Sequence, residues 1–369
     1  MKICYLTRSL DVKIGGLDRY SCEVIDRIHR KEGVETVALV EKLTNKPYEK
    51  AVLKNVSGNF WQIFYNIFVA RKEIKNCDVI HAMDLFPYGL IAVFANIGFK
   101  KKLIINGVGT DSVVRLDRLI LGTILKWAYK QADKVLCISE YTRKRILKKV
   151  PGLKNLEVVY LGVEYEKFTN HPHLTSPIKG VEQERGPILV GVGQPKRRKG
   201  YHVAIRALGK LKEKYPNFLY YIVGLQAITK YVEQLKQLAT DSGISDNVVF
   251  LENISDKHLI VLYHIADLFL LPSVNIGQHF EGFGLVFLEA ASAGLPGIGT
   301  KNCGIEEAVK NGQTGILVEQ ENVEETATAI DKLLSDKELR EKMGREAKKF
   351  AATMNWSVTV KKYLSYYQF

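Results

Sequence analysis

Residues 270–300 read LLPSVNIGQHFEGFGLVFLEAASAGLPGIGT and hold the residues best suited to chemistry. An apolar strand ends at Pro272 and Ser273, and a polar loop leads to Glu281, Gly282, Phe283 and Gly284. A helix is predicted over 285–293, stopped by Gly294 and Pro296 as a glycine cap followed by proline should stop it. Gly282 and Gly284 let the main chain approach a ligand closely. The N–H groups that follow open a helix, where the partial positive charge favours phosphate. Glu281 stands before that helix and can accept hydrogen bonds from sugar hydroxyls. Glu289, just over one turn into it, can accept them from a ribose. A strand, a glycine-rich turn and a glutamate-capped helix would also produce two glutamates eight apart, so the spacing alone decides little. The flanking Pro-Ser and Gly-x-Gly elements favour the ligand reading.

The run E-G-F-G-L-V-F-L-E, with P-S upstream and E-A-x-x-x-G-L-P downstream, resembles the retaining glycosyltransferases of family 4. Further resemblances lie at 133–140 (DKVLCISE), 160–168 (YLGVEYEKF), 191–200 (GVGQPKRRKG) and 304–315. Together they cover most of the chain. The fold this implies is α/β: two Rossmann-like parallel-sheet domains facing across a cleft (GT-B), with the C-terminal helix crossing back to the first domain. By the same resemblance Glu281 holds the donor sugar and Glu289 the donor ribose. Backbone groups of Gly282, Phe283, Gly284 and Leu285 contact phosphate or sugar, and Gly193 lies against the donor. Lys199 matches the family's lysine, whose ammonium neutralises charge growing on the leaving diphosphate. Arg198 beside it can add a bidentate contact, since guanidinium suits phosphate geometry. A solvated basic turn is the plain alternative for 196–199. Near the N-terminus, Gly15 and Gly16 match a family loop that approaches the donor phosphates or the acceptor; an ordinary strand-to-helix turn reads the same way.

The chain departs from the family pattern in two places. Gln194 follows Gly193 where many members carry arginine, so Arg197 or Arg198 is expected to supply that charge. In the loop at 106–111 (NGVGTD), Val108 stands where many members have a catalytic histidine. His81 also resembles a family position, with a core or loop role expected. No D-x-D motif occurs, so no metal or other cofactor is expected.

The resemblance implies retaining transfer of a hexose-type sugar from a UDP- or GDP-sugar to a hydroxyl of a glycan or glycolipid, in cell-envelope or exopolysaccharide assembly. Two rivals keep the fold. One is a degenerate, non-catalytic binding subunit, which Gln194 and the missing histidine allow and Glu281, Glu289 and Lys199 oppose. The other is an enzyme of different chemistry, a nucleotide-sugar epimerase or a phosphorylase.

The elements that must position these residues alternate strand and helix, which implies parallel sheets with helices on both faces. Strands are expected near 2–6, 35–40, 78–82, 102–105, 134–137 and 157–159, then near 188–192, 219–223, 248–251, 268–271 and 315–318. Between the first two, Leu17, Tyr20, Val24 and Ile28 recur at helical spacing. The polar, proline-bearing stretch 169–186 reads as a linker between a first domain at 1–168, with 354–369 packing back on it, and a second at 187–353. Ligands in such folds bind at strand C-terminal ends, so the chemistry belongs on the loops that follow strands.

The 369 residues suit two domains, and 46% hydrophobic with 25% charged content is ordinary for a globular chain. Five scattered cysteines without C-x-x-C spacing point to buried, reduced thiols. No secretory leader pattern or run of about 18 apolar residues occurs, so a cytoplasmic protein is expected. Net charge is +13; residues 1–170 carry 29 Lys+Arg against 18 Asp+Glu, and the other 199 carry 24 against 22. The basic half shows no nucleic-acid recognition motif, and nucleic acid is set aside. An anionic membrane surface is the other option. At 115–130, Leu116, Leu119, Ile120, Thr123, Ile124 and Trp127 share one side, with Arg115, Arg118, Lys126 and Lys130 about 100° away. The segment 60–69 is apolar nearly all round, and Lys100, Lys101 and Lys102 add a basic cluster. Peripheral binding on the inner face of the cell membrane suits this pattern, and so do core helices with a charged edge.

Overall fold

The computed structural model describes residues 1–12, 16–57, 59–170 and 186–368, folded as two compact units: Met1–Leu161 with Trp356–Phe369, and Gly162–Asn355. Unit 1 contains β1 (Lys2–Leu6), α1 (Gly16–His29), β2 (Glu35–Val40), β3 (Glu49–Ala51), α2 (Gln62–Ile74), β4 (Val79–Ala82), α3 (Leu90–Asn96), β5 (Lys102–Gly107), α4 (Leu119–Gln131), β6 (Lys134–Cys137), α5 (Glu140–Lys149) and β7 (Leu156–Val158). Its seven strands are all parallel, in the order β3-β2-β1-β4-β5-β6-β7.

Unit 2 begins with α6 (Tyr165–Thr169) and continues through β8 (Ile188–Val192), α7 (Tyr201–Gly209), β9 (Leu219–Val223), α8 (Thr229–Asp241), β10 (Val248–Leu251), α9 (Asp256–Ile265) and β11 (Leu268–Leu270). Then come α10 (Leu285–Ser292), β12 (Gly297–Thr300), α11 (Ile305–Ala308), β13 (Gly315–Val318), α12 (Val323–Ser335) and α13 (Lys337–Thr353). Its parallel sheet runs β10-β9-β8-β11-β12-β13. Each sheet is doubly wound, with strand order reversing between β1 and β4 in unit 1 and between β8 and β11 in unit 2. Central strands are buried on both faces and read as continuous apolar runs: Leu268, Phe269 and Leu270 of β11 are fully buried.

Two strands lie outside the sequence expectation. β3 is a three-residue polar edge strand, and β12 is half glycine. A Cβ at Gly297 would stand 2.8 Å from the Phe287 ring, and one at Gly299 2.6 Å from Ile305 Cγ2. Packing against α10 and α11 therefore excludes the branched side chains that usually mark a strand.

The units divide at Leu161/Gly162 rather than after residue 168. The His264 ring nitrogen Nε2 lies 3.0 Å from the Phe168 carbonyl oxygen, and the Thr169 hydroxyl donates to the Ser292 carbonyl at 3.3 Å, which ties α6 to unit 2. Of the expected linker, 171–185 lies outside the described residues.

The C-terminal helix α14 (Trp356–Tyr367) returns to unit 1, as expected, and buries Trp356, Val360, Tyr363 and Tyr367. Burial of such side chains stabilises by roughly 1.5–3 kcal/mol each. A polar network completes the joint. The Asn106 amide donates to the Tyr20 hydroxyl at 2.8 Å, which turns its oxygen to His81 Nε2 at 2.9 Å. His81 Nε2 therefore carries the proton, and Nδ1 accepts from the Tyr367 hydroxyl at 2.7 Å. Tyr5 meets Tyr367 at 3.1 Å, and Tyr20 bonds Tyr363. Burial pushes the His81 pKa down to about 4, so the ring is neutral at physiological pH. His81 is thus a core histidine.

Candidate active site

Two loops meet at the switch point of unit 2. The first follows β8 and runs from Gly193 through a 3₁₀ turn, Arg197–Lys199, into α7. The second follows β11 and ends at α10. They touch through the backbone: the Val274 N–H donates to the Arg198 carbonyl at 2.8 Å. Gly200, with φ of 73°, makes this approach feasible, because a Cβ there would stand 1.7 Å from the Pro272 carbonyl oxygen.

Glu281 receives both basic side chains of the first loop on one oxygen. Lys199 Nζ lies 2.7 Å and Arg198 Nη1 2.9 Å from Glu281 Oε2. Side-chain exposure is 12% for Glu281, 12% for Lys199 and 28% for Arg198, so the cluster sits below the surface but open to it. Burial alone would raise the Glu281 pKa; Lys199 and Arg198 overcome it and hold the carboxyl at about 2. Burial also lowers the Lys199 ammonium from its ordinary value, against the pull of Glu281. The three groups together carry one surplus positive charge. Arg198, not the exposed Arg197, joins the cluster.

Gly193, with φ of 144°, lies beneath Lys199, whose Cε would be 3.1 Å from a Cβ there. The Tyr201 hydroxyl fastens this turn by donating to the Gly193 carbonyl at 2.7 Å. Gln194 is half-buried in the same loop.

Past Glu281, Gly282 and Phe283 are buried, and Gly284 turns into α10 with φ of 83°. The Gly304 N–H donates to the Glu281 carbonyl at 2.9 Å, and a Cβ on Gly304 would stand 2.1 Å from the Gly282 oxygen. The turn is thus pinned from behind, and α10 starts at Leu285, with the Phe287 N–H donating to the Gly284 carbonyl at 2.9 Å. Glu289 is 1% exposed and accepts from the Tyr263 hydroxyl at 3.2 Å.

The structure therefore gathers Glu281, Lys199, Arg198 and Gly193 at one point, with Gly282, Phe283, Gly284 and Leu285 in the adjoining turn. Glu289 lies deeper, under Tyr263. In unit 1, Gly16 opens α1, while Gly15 lies outside the described residues. Val108 is half-buried just past β5. Sequence reasoning overlooked Tyr201 and Tyr263, since an isolated tyrosine carries no spacing signal. It also read Ser273 only as a strand end; its buried hydroxyl has no hydrogen-bond partner among the described residues. No cluster of three or more His, Cys, Asp or Glu able to hold a metal occurs among the described residues, and no helix there is long and apolar enough to cross a membrane.

Residues 14–167 match the model of Glycosyltransferase Family 4, and residues 175–350 that of Glycosyl transferases group 1. The chain belongs to the family 4 glycosyltransferases. One relative is the GDP-mannose-dependent alpha-(1-6)-phosphatidylinositol monomannoside mannosyltransferase of Mycolicibacterium smegmatis, 31% identical over 239 residues, or 63% of this chain and 61% of that protein. This chain thus matches about three-fifths of that relative's length. Another is the N-acetyl-alpha-D-glucosaminyl L-malate synthase of Bacillus anthracis, 26% identical over 82% of this chain and 80% of its own. Among solved structures, Anabaena Alr3699/HepE in complex with UDP-glucose shares the fold, with a TM-score of 0.80 at 19% identity over 99% of this chain and 98% of that one. The Rossmann-like, two-domain architecture of family 4 is therefore the one found here.

Proposed function

We propose that this family 4 glycosyltransferase moves a hexose-type sugar, with retention, from a UDP- or GDP-sugar to a hydroxyl of a glycan or lipid-linked acceptor. The observation that carries this reading is the switch-point cluster, in which two cations share one carboxylate and leave a surplus positive charge beside a helix N-terminus. A diphosphate completes such a site electrostatically. In this reading Lys199 and Arg198 neutralise the leaving diphosphate while Glu281, held ionised, accepts hydrogen bonds from sugar hydroxyls. The Gly282–Leu285 turn supplies N–H donors. Glu289 addresses the ribose, sharing its carboxylate with Tyr263.

The acceptor oxygen forms a bond to the anomeric carbon on the face the donor oxygen leaves. The anomeric carbon–phosphate oxygen bond breaks, and its electron pair goes to the diphosphate. The acceptor's proton passes to a leaving phosphate oxygen. Basic side chains and helix dipole supply the charge stabilisation, so this reading requires no metal. The relatives named above include a GDP-mannose-dependent enzyme and a structure in complex with UDP-glucose, which supports a nucleotide-sugar donor without choosing its base. Cell-envelope or exopolysaccharide assembly, at the inner face of the cell membrane, is the setting this reading proposes.

Calorimetry and thermal unfolding with UDP, GDP, ADP and their sugar conjugates test it. One nucleotide should raise the melting temperature of the wild type by several degrees and lose that effect in Glu289→Ala and Lys199→Ala. If no nucleotide binds the wild type at millimolar concentration, the transferase reading fails.

A further inference from the structure

The structure assigns unit 1 a surface that docks on an anionic lipid bilayer, formed by the N-terminal parts of α2 and α4. Helix α2 is inverted relative to a water-facing helix. Its buried side holds Ile63, Asn66, Ala70 and Ile74. Its exposed side, continued by the turn just before it, holds Phe60, Trp61, Phe64, Tyr65 and Phe68, spaced to form one helical face. Trp61 is 78% exposed and Phe68 60%. A contiguous aromatic face of this kind in a soluble domain marks an interaction site.

The first turn of α4 repeats the feature, with Leu119 at 92% and Ile120 at 80% exposure. They are held outward because Gly122 packs directly on the preceding turn: a Cβ there would stand 2.4 Å from the Leu116 carbonyl oxygen. Helix α3 joins the two, packing on α2 and on α4, with the Phe94 and Trp127 rings 5.4 Å apart.

Charge selects the partner. No Asp or Glu occurs from Ala51 to Lys72. The Lys54 and Lys72 ammoniums lie 4.2 Å and 4.4 Å from the Tyr65 and Phe68 ring centres, and Arg118 stands immediately before α4. From Ser112 to Ala132 the one acid is Asp117, which is paired with Lys149. Aromatic side chains bordered by basic groups match the acyl boundary and phosphate layer of an anionic leaflet. Since α2 and α4 lie between parallel strands, their N-terminal ends stand at the carboxyl edge of the sheet, where such folds bind ligands. A lipid surface there would bring a lipid-linked hydroxyl to unit 1's ligand edge. The surface rests on the proposed acceptor reading only for this purpose.

The test is co-sedimentation with phosphatidylglycerol/phosphatidylcholine vesicles and with phosphatidylcholine vesicles alone, on the full chain. The wild type should bind the anionic vesicles, release them at high salt, and shift its tryptophan emission to the blue; W61F should remove most of that shift. F64S and L119S/I120S should weaken binding about tenfold per apolar residue, and K54E and K72E at least about fivefold each. These side chains are exposed, so melting temperature should hold in every variant. Wild type that stays in the supernatant, or variants that sediment equally well, would overturn the proposal. So would a dimer seen by light scattering that L119S/I120S dissolves, because a second copy would then cover the surface. Nucleotide binding measured on the same samples separates the two readings: nucleotide binding without vesicle binding rejects this surface alone, and vesicle binding without nucleotide binding rejects the transferase reading alone.

Discussion

The two sheets share a winding, yet the polar cluster around His81 in unit 1 and the one around Glu281 in unit 2 are of opposite kinds. In unit 1, Tyr5, Tyr20, His81, Asn106, Tyr363 and Tyr367 form a neutral network in which the protein supplies the partners. In unit 2, Glu281, Lys199 and Arg198 are charged and leave one positive charge over. The pKa shifts express the contrast. His81 is driven down to about 4 by burial, which favours its neutral form. Glu281 is held at about 2 against burial, by cations that favour its charged form. A closed neutral network needs nothing from solvent and serves to fix α14 on unit 1. In the proposed reading, the donor diphosphate completes the ionic cluster with its surplus charge.

The strongest way to break this contrast is to remove Lys199. Lys199→Ala leaves Glu281 its Arg198 contact, so unit 2 should fold with little loss of melting temperature. Transfer from the donor should fall about 10²–10³-fold, the scale of deleting one preorganised donor to developing charge. Arg198→Ala, at the more exposed partner, should cost less. Initial rates with labelled donor and a circular-dichroism melt measure both. A Lys199→Ala protein that melts at much lower temperature yet, while folded, transfers at the wild-type rate would place unit 2's cluster alongside unit 1's network as structural.

Acid titration sharpens the comparison, because the two clusters answer in different pH windows. His81 has its folded pKa below the unfolded one. The unfolded chain therefore takes up a proton first, and stability falls from about pH 6.5 to about pH 4, then levels. The shift corresponds to about 3 kcal/mol. Glu281 contributes stability that is present above its unfolded pKa and is lost as pH falls toward about 2. Urea melts of the wild type across pH 7 to 4 should show the first slope, and His81→Phe should lack it while nucleotide binding is retained. An equal slope in both proteins would move the titration away from the α14 joint.

How much of this was legible beforehand follows from what each residue contributes. The cluster residues sit in local motifs, so Glu281 could be proposed from its place before a glycine turn, Lys199 from the family resemblance and Arg198 from its place beside it. That two cations meet on one oxygen could not, because the approach depends on Gly200 fitting against the Pro272 carbonyl, a contact between distant segments. Most strands showed as apolar runs. Strand β12 did not, since Phe287 and Ile305 occupy the space its side chains would fill, and β3 did not, since an edge strand tolerates Glu49 and Lys50. The network around His81 was invisible for the same reason as Tyr201 and Tyr263: its partners lie up to 362 positions apart, and lone polar residues show no period. The exposed aromatics of α2 were seen as an apolar segment, but which side faces outward is a property of packing.

The smallest effect tests whether unit 1's network really is closed. Tyr367→Phe keeps the ring that fills the core beneath α14 and deletes only the hydroxyl that donates to His81 at 2.7 Å and meets Tyr5 at 3.1 Å. Two buried groups lose a partner, so stability should fall by about 1–3 kcal/mol in a urea melt. Tyr5→Phe, which deletes the outer member of the chain, should cost less because it leaves Tyr367 its bond to His81. Combining the two should cost less than the sum, as expected for contacts in one chain of hydrogen bonds. Nucleotide binding by unit 2 should be the same in all three proteins. Additive losses would mean the hydroxyls act independently, and the neutral half of the comparison would reduce to burial of the rings alone.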